Sequence, residues 1–163
     1  MSRLARTARA LQILAMPDLM ISTFTPFDQD DAKALILSGL IEHWGTPDYS
    51  LNPDLNDIAT SYAGQVFLVA RLERELVGTG ALIFERQNAG RIVRMSVAKA
   101  HRRAGIASRV LTTLVTHAQS RGYDTLVLET TETWHDAIAF YLRHGFRPTH
   151  HANGEAHFVK QLC

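Results

Sequence analysis

Residues 91–121 restrict the possible folds more than any other stretch. Arg91-Ile-Val-Arg-Met-Ser-Val97 has the apolar, β-branched character of a strand. The turn Ala98-Lys-Ala-His-Arg102-Arg-Ala-Gly105 follows. Ile106–Ser120 then carries Ile106, Ala107, Val110, Leu111, Leu114, Val115 and Ala118 on one helical face, and Arg121-Gly122 ends the helix. Amides in such a turn and in the first helical turn have no internal acceptor, and the helix dipole adds partial positive charge. Gly105 lets backbone approach an anion closely. His101, Arg102 and Arg103 add side-chain donors. The segment reads as a cradle for a pyrophosphate.

The surrounding chain completes an α/β pattern. Met20–Phe27 reads as an edge strand, Asp28–Trp44 as a helix, Gly45–Asp54 as a loop and Asp54–Ala63 as a second, shorter helix. Val66–Arg71, Leu76–Glu85 and Ile92–Val97 read as an antiparallel meander. Thr125–Thr130 is a short buried strand, so residues 92–130 form a right-handed parallel crossover. His135–His144 reads as a helix ended by Gly145. Phe146–His151 and Glu155–Leu162 pair across Asn153-Gly154, a strong two-residue turn. The expected fold is a mixed, mostly antiparallel twisted sheet with a splayed parallel central pair and helices on both faces.

The length of 163 residues suits one domain, here 20–163. Residues 1–19 read as an N-terminal extension, either a helix or a start-site artefact. Arg3, Arg6 and Arg9 precede a short apolar run, Leu11–Met16, but no small-residue cleavage pattern follows. A net charge of +1 gives no basic field for nucleic acid, and no apolar run approaches the ~20 residues that span a membrane. The single cysteine, Cys163, excludes a disulfide framework and fits a cytoplasmic setting. Of the eight histidines, His150 and His151 fall on opposite strand faces, and no acid or cysteine completes a ligand set with them or His157. No metal is expected.

Two motifs resemble those of the GNAT superfamily of acyl-CoA N-acyltransferases. Arg102-Arg-Ala-Gly105-Ile-Ala107 fits the family's [Arg/Gln]-x-x-Gly-x-[Gly/Ala] loop, five residues beyond Val97. Ala137-Ile-Ala-Phe-Tyr141-Leu-Arg-His-Gly145-Phe146 resembles its helix-then-strand ending in Tyr-x-x-x-Gly-Phe. Rival glycine loops do not fit: there is no Gly-Lys-[Ser/Thr] and no Gly-x-Gly-x-x-Gly. The resemblance implies acetyl-CoA lying in the splay between strands 92–97 and 125–130. Its pantetheine arm would pair with backbone of Met95, Ser96 and Val97. Its pyrophosphate would rest on Arg103, Ala104, Gly105, Ile106, Ala107 and Ser108, with Arg102 closing the loop. Trp134 and Ala137 fall at further cofactor-contact positions. Trp134 is a departure, since the family often has asparagine there.

Acyl transfer to an amine needs a neutral amine, a held oxyanion and a protonated leaving thiolate. The resemblance places Tyr141 as the general acid. A backbone N–H near Met95 or Val97 would hold the oxyanion. The family's frequent strand glutamate is absent, because that strand carries Arg91 and Arg94 instead. Glu129, Glu85 and His43 are the candidate bases, with Glu129 foremost and a water chain as an equal alternative. Neutralising a lysine at pH 7 costs about 4.6 kcal/mol against about 1 kcal/mol for an α-amine, so a weak base leans towards amines of low pKa.

The acceptor side would come from His43-Trp44 through Asp54. Trp44 and Tyr49 are candidates to pack an apolar group, and Asp48 and Asp54 to hold a cationic amine. The competing reading makes Trp44 core and Asp54 the cap of the second helix, with Arg91 and Arg94 paired to nearby acids. The expected function is an acetyl-CoA-dependent N-acetyltransferase, monomeric or homodimeric, acting on a small-molecule amine rather than a protein. The alternative is a non-catalytic acyl-CoA-binding sensor.

Overall fold

The computed structural model describes residues 18–45 and 51–162. The readings made for Asp48, Tyr49, Cys163 and residues 1–17 lie outside these. Seven strands form one sheet in the order β1-β2-β3-β4-β5-β7-β6. They are β1 Leu19–Thr23, β2 Val66–Leu72, β3 Glu75–Arg86, β4 Ala89–Val97, β5 Thr125–Thr131, β6 Arg147–Ala152 and β7 Glu155–Gln161. Every pairing is antiparallel except β4 with β5. The helices are α1 Gln29–Trp44, α2 Ile58–Ser61, α3 Ile106–Ser120 and α4 His135–Arg143.

Strand alternation sends side chains to two separate cores. On one face Leu68, Val77, Leu82, Ile92, Leu126 and Leu128 pack with Val110, Leu111 and Leu114 of α3 and Tyr141 of α4. On the other, Phe67, Val69 and Ala81 pack with Ala32 and Ile36 of α1 and with Leu55 and Ile58. Helices therefore cover both faces, as the pattern predicts. Among the described residues no helix is long and apolar enough to cross a membrane.

Four local readings need correction. The edge strand stops at Thr23, because Pro26 opens a short 3-10 turn, Pro26–Asp28, before α1. The second helix is not continuous over 54–63. Pro53–Asn56 forms a 3-10 turn, and one α turn, Ile58–Ser61, follows. Asp57, not Asp54, caps that turn, its carboxylate accepting from the Thr60 N–H at 3.1 Å. Trp44 is not core, with 60% of its surface exposed.

Candidate active site

The parallel pair β4–β5 holds register only over Ala89↔Thr125, Gly90↔Leu126 and Arg91↔Val127. Beyond Arg91 the strands part. The cause lies on the other edge of β4. Register with β3 slips between Thr79 and Ala81, so Arg94 and Met95 both face Gly80, and Arg94 has φ +56°. This bulge bends β4 away from β5. It requires a bare position opposite, because a Cβ on Gly80 would lie 2.6 Å from Met95 Sδ and 2.7 Å from Val110 Cγ1. The carbonyl turned aside at Arg94 accepts from the buried Thr79 hydroxyl at 2.8 Å.

The parted strands bound a cleft of about 680 Å³, lined by Ile92 to Val97, Glu129, Thr130, Trp134, Ala137, Tyr141 and, from α1, Glu42 and His43. The Ala98 N–H donates to Val77 C=O at 2.8 Å. By antiparallel alternation the Val97 N–H and C=O then point away from β3, into the splay. Arg103 and Gly105 both take left-handed backbone, φ +62° and +85°. The first bond of α3 runs from the Arg109 N–H to Gly105 C=O at 3.2 Å. The amides of Ile106, Ala107 and Ser108 thus have no intrahelical acceptor.

Arg102 sits at the mouth of the cleft. Its guanidinium makes two 2.8 Å bonds to Glu42 of α1, and its Nε–H donates to Val97 C=O at 3.3 Å. Arg103 is exposed. Ser108 Oγ lies 2.9 Å from His144 Nε2, at the end of α4. Burial, with Lys160 and Arg143 nearby, lowers the His144 pKa and favours the neutral ring.

Tyr141 retains 8% of its surface and packs against Phe140, Phe146 and Phe158. Burial raises its phenol pKa well above 10. Glu129, across the splay, meets the Arg91 guanidinium. Arg91 also donates to Glu85 at 2.7 and 3.0 Å, holding that carboxyl below its usual range. His43 stands edge-on between two tryptophans, 4.9 Å from Trp44 and 4.6 Å from Trp134. The Trp134 Nε1–H is buried and has no acceptor among the described residues.

Arg94 points to the turn that precedes α2. It donates to Asp54 at 2.6 and 3.0 Å and to Asn52 at 3.1 Å, and the Tyr62 hydroxyl donates to Asp54 at 2.6 Å. Burial pushes the Asp54 carboxyl up, but Arg94 and Tyr62 outweigh it and hold its pKa below 3.8. The Tyr62 phenol, partly buried and bonded to Asp54, is pushed up to about 12. Both strand arginines therefore serve nearby acids. The structure gathers Tyr141, Glu129, Met95, Ser96, Val97, Arg102, Trp134 and Ala137 on one cleft. Arg103 to Ser108 lie in the adjoining turn.

Sequence reasoning missed Glu42, Thr79 and Gly80. Gly78-Thr-Gly80 inside a strand pattern was the available signal for the bulge; Glu42 had none. His150 stacks on His157 at 4.3 Å and His151 lies 3.4 Å from Glu132. Among the described residues no cluster of three or more His, Cys, Asp or Glu is arranged for a metal.

Residues 27–146 match the model of the acetyltransferase (GNAT) family. The chain is 34% identical to human N-acetyltransferase 8B over 110 residues, 63% of this chain and 48% of that protein. It is 36% identical to rat N-acetyltransferase 8 over 107 residues, 61% and 48% of the two chains. The chain thus spans about half the length of the curated relatives it matches. A Staphylococcus aureus GNAT-family acetyltransferase superposes with a TM-score of 0.82 at 22% identity, covering 89% of this chain and 99% of that one. PaiA N-acetyltransferase of Thermoplasma acidophilum, solved with coenzyme A, gives 0.76 at 16%, covering 88% and 98%. At these identities the likeness is one of fold.

Proposed function

Because the chain belongs to the GNAT acetyltransferase family, we propose that it moves an acetyl group from acetyl-CoA to a primary amine by direct attack in a ternary complex. The observation that carries this reading is the splay itself. A cleft opens between parallel strands, with an unpaired strand edge at Val97 on one side and the Tyr141 ring on the other. The residues present suit the donor: strand-edge backbone for an extended amide-bearing arm, and the turn amides into α3 for a diphosphate. The donor supplies an activated thioester carbonyl.

The chain's own groups would divide the work as follows. The Val97 N–H faces the splay and serves the developing oxyanion. Glu129, paired with Arg91, takes the amine proton, directly or through water. Tyr141 donates to the leaving sulfur. Its raised pKa makes it a weak acid against a free thiol near ~8.5, yet the same burial raises the pKa of a thiol in the cleft. The phenol therefore keeps its proton until the sulfur gains charge.

Tyr141→Phe should lower kcat about a hundredfold while moving the KM for acetyl-CoA little, measured by thiol release and product mass. An unchanged kcat would refute the acid role. Acetyl-CoA binding without thiol release for any amine would favour the sensor reading instead.

A further inference from the structure

Resting on that reading and deepening it, we infer that the acceptor is an α-amino amide, the chemistry of an amino-acid amide or of a peptide's N-terminal residue. Its carbonyl oxygen accepts from the Trp134 Nε1–H while its amine meets the thioester. The first observation is that donor, buried and without an acceptor among the described residues. Such an N–H is rare, since it has given up water and gained no partner. Trp134 lines the cleft together with Glu129, five residues before it, and Tyr141, two turns further along α4. The indole is also fixed in place. The Trp134 backbone N–H donates to Thr131 C=O at 2.9 Å, and the ring stands edge-on to His43 at 4.6 Å. Thr133 Oγ1 lies 3.4 Å from His43 Nε2 and steadies that ring in turn. A held, buried donor selects a ligand that brings an oxygen and rejects the same ligand without one.

The second observation is charge, and it decides which oxygen. Every arginine in or beside the cleft is already engaged: Arg102 by Glu42, Arg94 by Asp54, and Arg91 by both Glu85 and Glu129. Asp136, exposed at the start of α4, also lines the cleft and makes no ion pair among the described residues. A substrate carboxylate would thus enter an excess of negative charge with no guanidinium free to pair it, which is costly away from water. A neutral amide carbonyl carries no such penalty. The amine fits as well. An α-amine has a pKa near ~8 against ~10.4 for a lysine-type alkylamine, so far more of it is neutral at pH 7 before any base acts.

The full chain is assayed for thiol release from acetyl-CoA with matched acceptors. These are the amides of alanine, leucine and lysine, the free amino acids, and ethylamine, isoamylamine and cadaverine, which lack the carbonyl group. Compared at equal concentrations of neutral amine, at least one amide should exceed both its amino acid and its plain amine in kcat/KM by about tenfold, the worth of one bond to a buried donor. Trp134→Phe keeps a ring beside His43 and removes the N–H, and it should cut the amide-over-amine ratio by about tenfold. If Trp134 served the acetyl donor alone, both arms would fall together and the ratio would stand, which overturns the inference. A preference for amino acids or plain amines overturns it too. In both cases thiol is released, so the transferase reading survives. If no acceptor releases thiol, the transferase reading fails, and tryptophan fluorescence decides the acceptor class. A saturable change with the amides and none with the amines upholds the inference, and equal responses overturn it. A tetrapeptide that begins with the preferred residue separates the two sources: turnover like the amide's assigns the site to peptide N-termini, and no turnover assigns it to free amides.

Discussion

The two walls of the cleft are made from different materials. The donor wall, from β4 into α3, presents main-chain groups, and its shape rests on backbone conformations at Arg94, Arg103 and Gly105. The acceptor wall, from α1 and the turn before α2, is held by side chains: Glu42 to Arg102 and Asp54 to Arg94, across 60 and 40 residues of sequence. A main-chain wall tolerates most side-chain changes and fails when a left-handed position is lost. A side-chain wall tolerates backbone variation and fails when one charge is removed. Each kind of substitution should therefore damage one wall and spare the other.

The largest effect is expected at Arg94→Met. The change leaves Asp54 half-buried without its cation, and Asn52 loses its partner while Tyr62 keeps its bond to Asp54. A fully buried pair broken this way costs about 3–5 kcal/mol. Asp54 keeps 30% of its side-chain exposure, so about 1–2 kcal/mol is expected. The sign with pH follows from Asp54, whose folded pKa lies below its ordinary 3.8. Its stabilising share is present above that value and is lost as pH falls through the folded pKa. Urea unfolding should show a gap between wild type and variant that is constant above about pH 5 and closes below pH 4. A gap independent of pH would mean that packing, not the ion pair, holds this wall.

Gly105→Ala probes the donor wall with a smaller effect. At φ +85° an alanine is strained, while an added Cβ there would meet nothing within 4 Å. The cost is therefore conformational, about 1 kcal/mol, with no clash to confuse it. Coenzyme A affinity should fall in step, because the turn amides lose their aim. Asparagine, which accepts left-handed backbone more readily, should recover part of both. Full stability with unchanged affinity would show that the turn does not depend on Gly105.

The difference between the walls also governs what the sequence discloses. The helix stripe of 106–120, the glycine before it and the Asn153-Gly154 turn are local signals, and their elements lie where the pattern puts them. The splay was legible as a parallel crossover, but its cause was not. The bulge depends on Gly80 opposing two residues of another strand, and only tertiary pairing creates that opposition. The acceptor wall was hardest to read. Arg94 and Asp54 each had a plausible solitary role, and their mutual bond needs the fold to bring together residues 40 positions apart. Trp44 has the spacing of a core residue on α1, yet 60% of its surface is exposed at the end of that helix.

The smallest effect joins the two walls. Arg102 belongs to the donor turn by position but is held by Glu42 of the acceptor wall, and its Nε–H covers the Val97 carbonyl. That carbonyl is one of the groups a strand-like donor arm would use, so Arg102 must swing away before the arm can pair there. Glu42 opposes the swing with two charge-assisted bonds, though both partners are partly exposed and the pair is weak in water. Glu42→Gln should therefore tighten coenzyme A binding by about two- to threefold in calorimetry at low salt. The advantage should fade as ionic strength rises, since salt already loosens the wild-type pair. Weaker binding in the variant would reverse the interpretation: Glu42 would then aim Arg102 at the diphosphate, and the acceptor wall would help to build the donor wall.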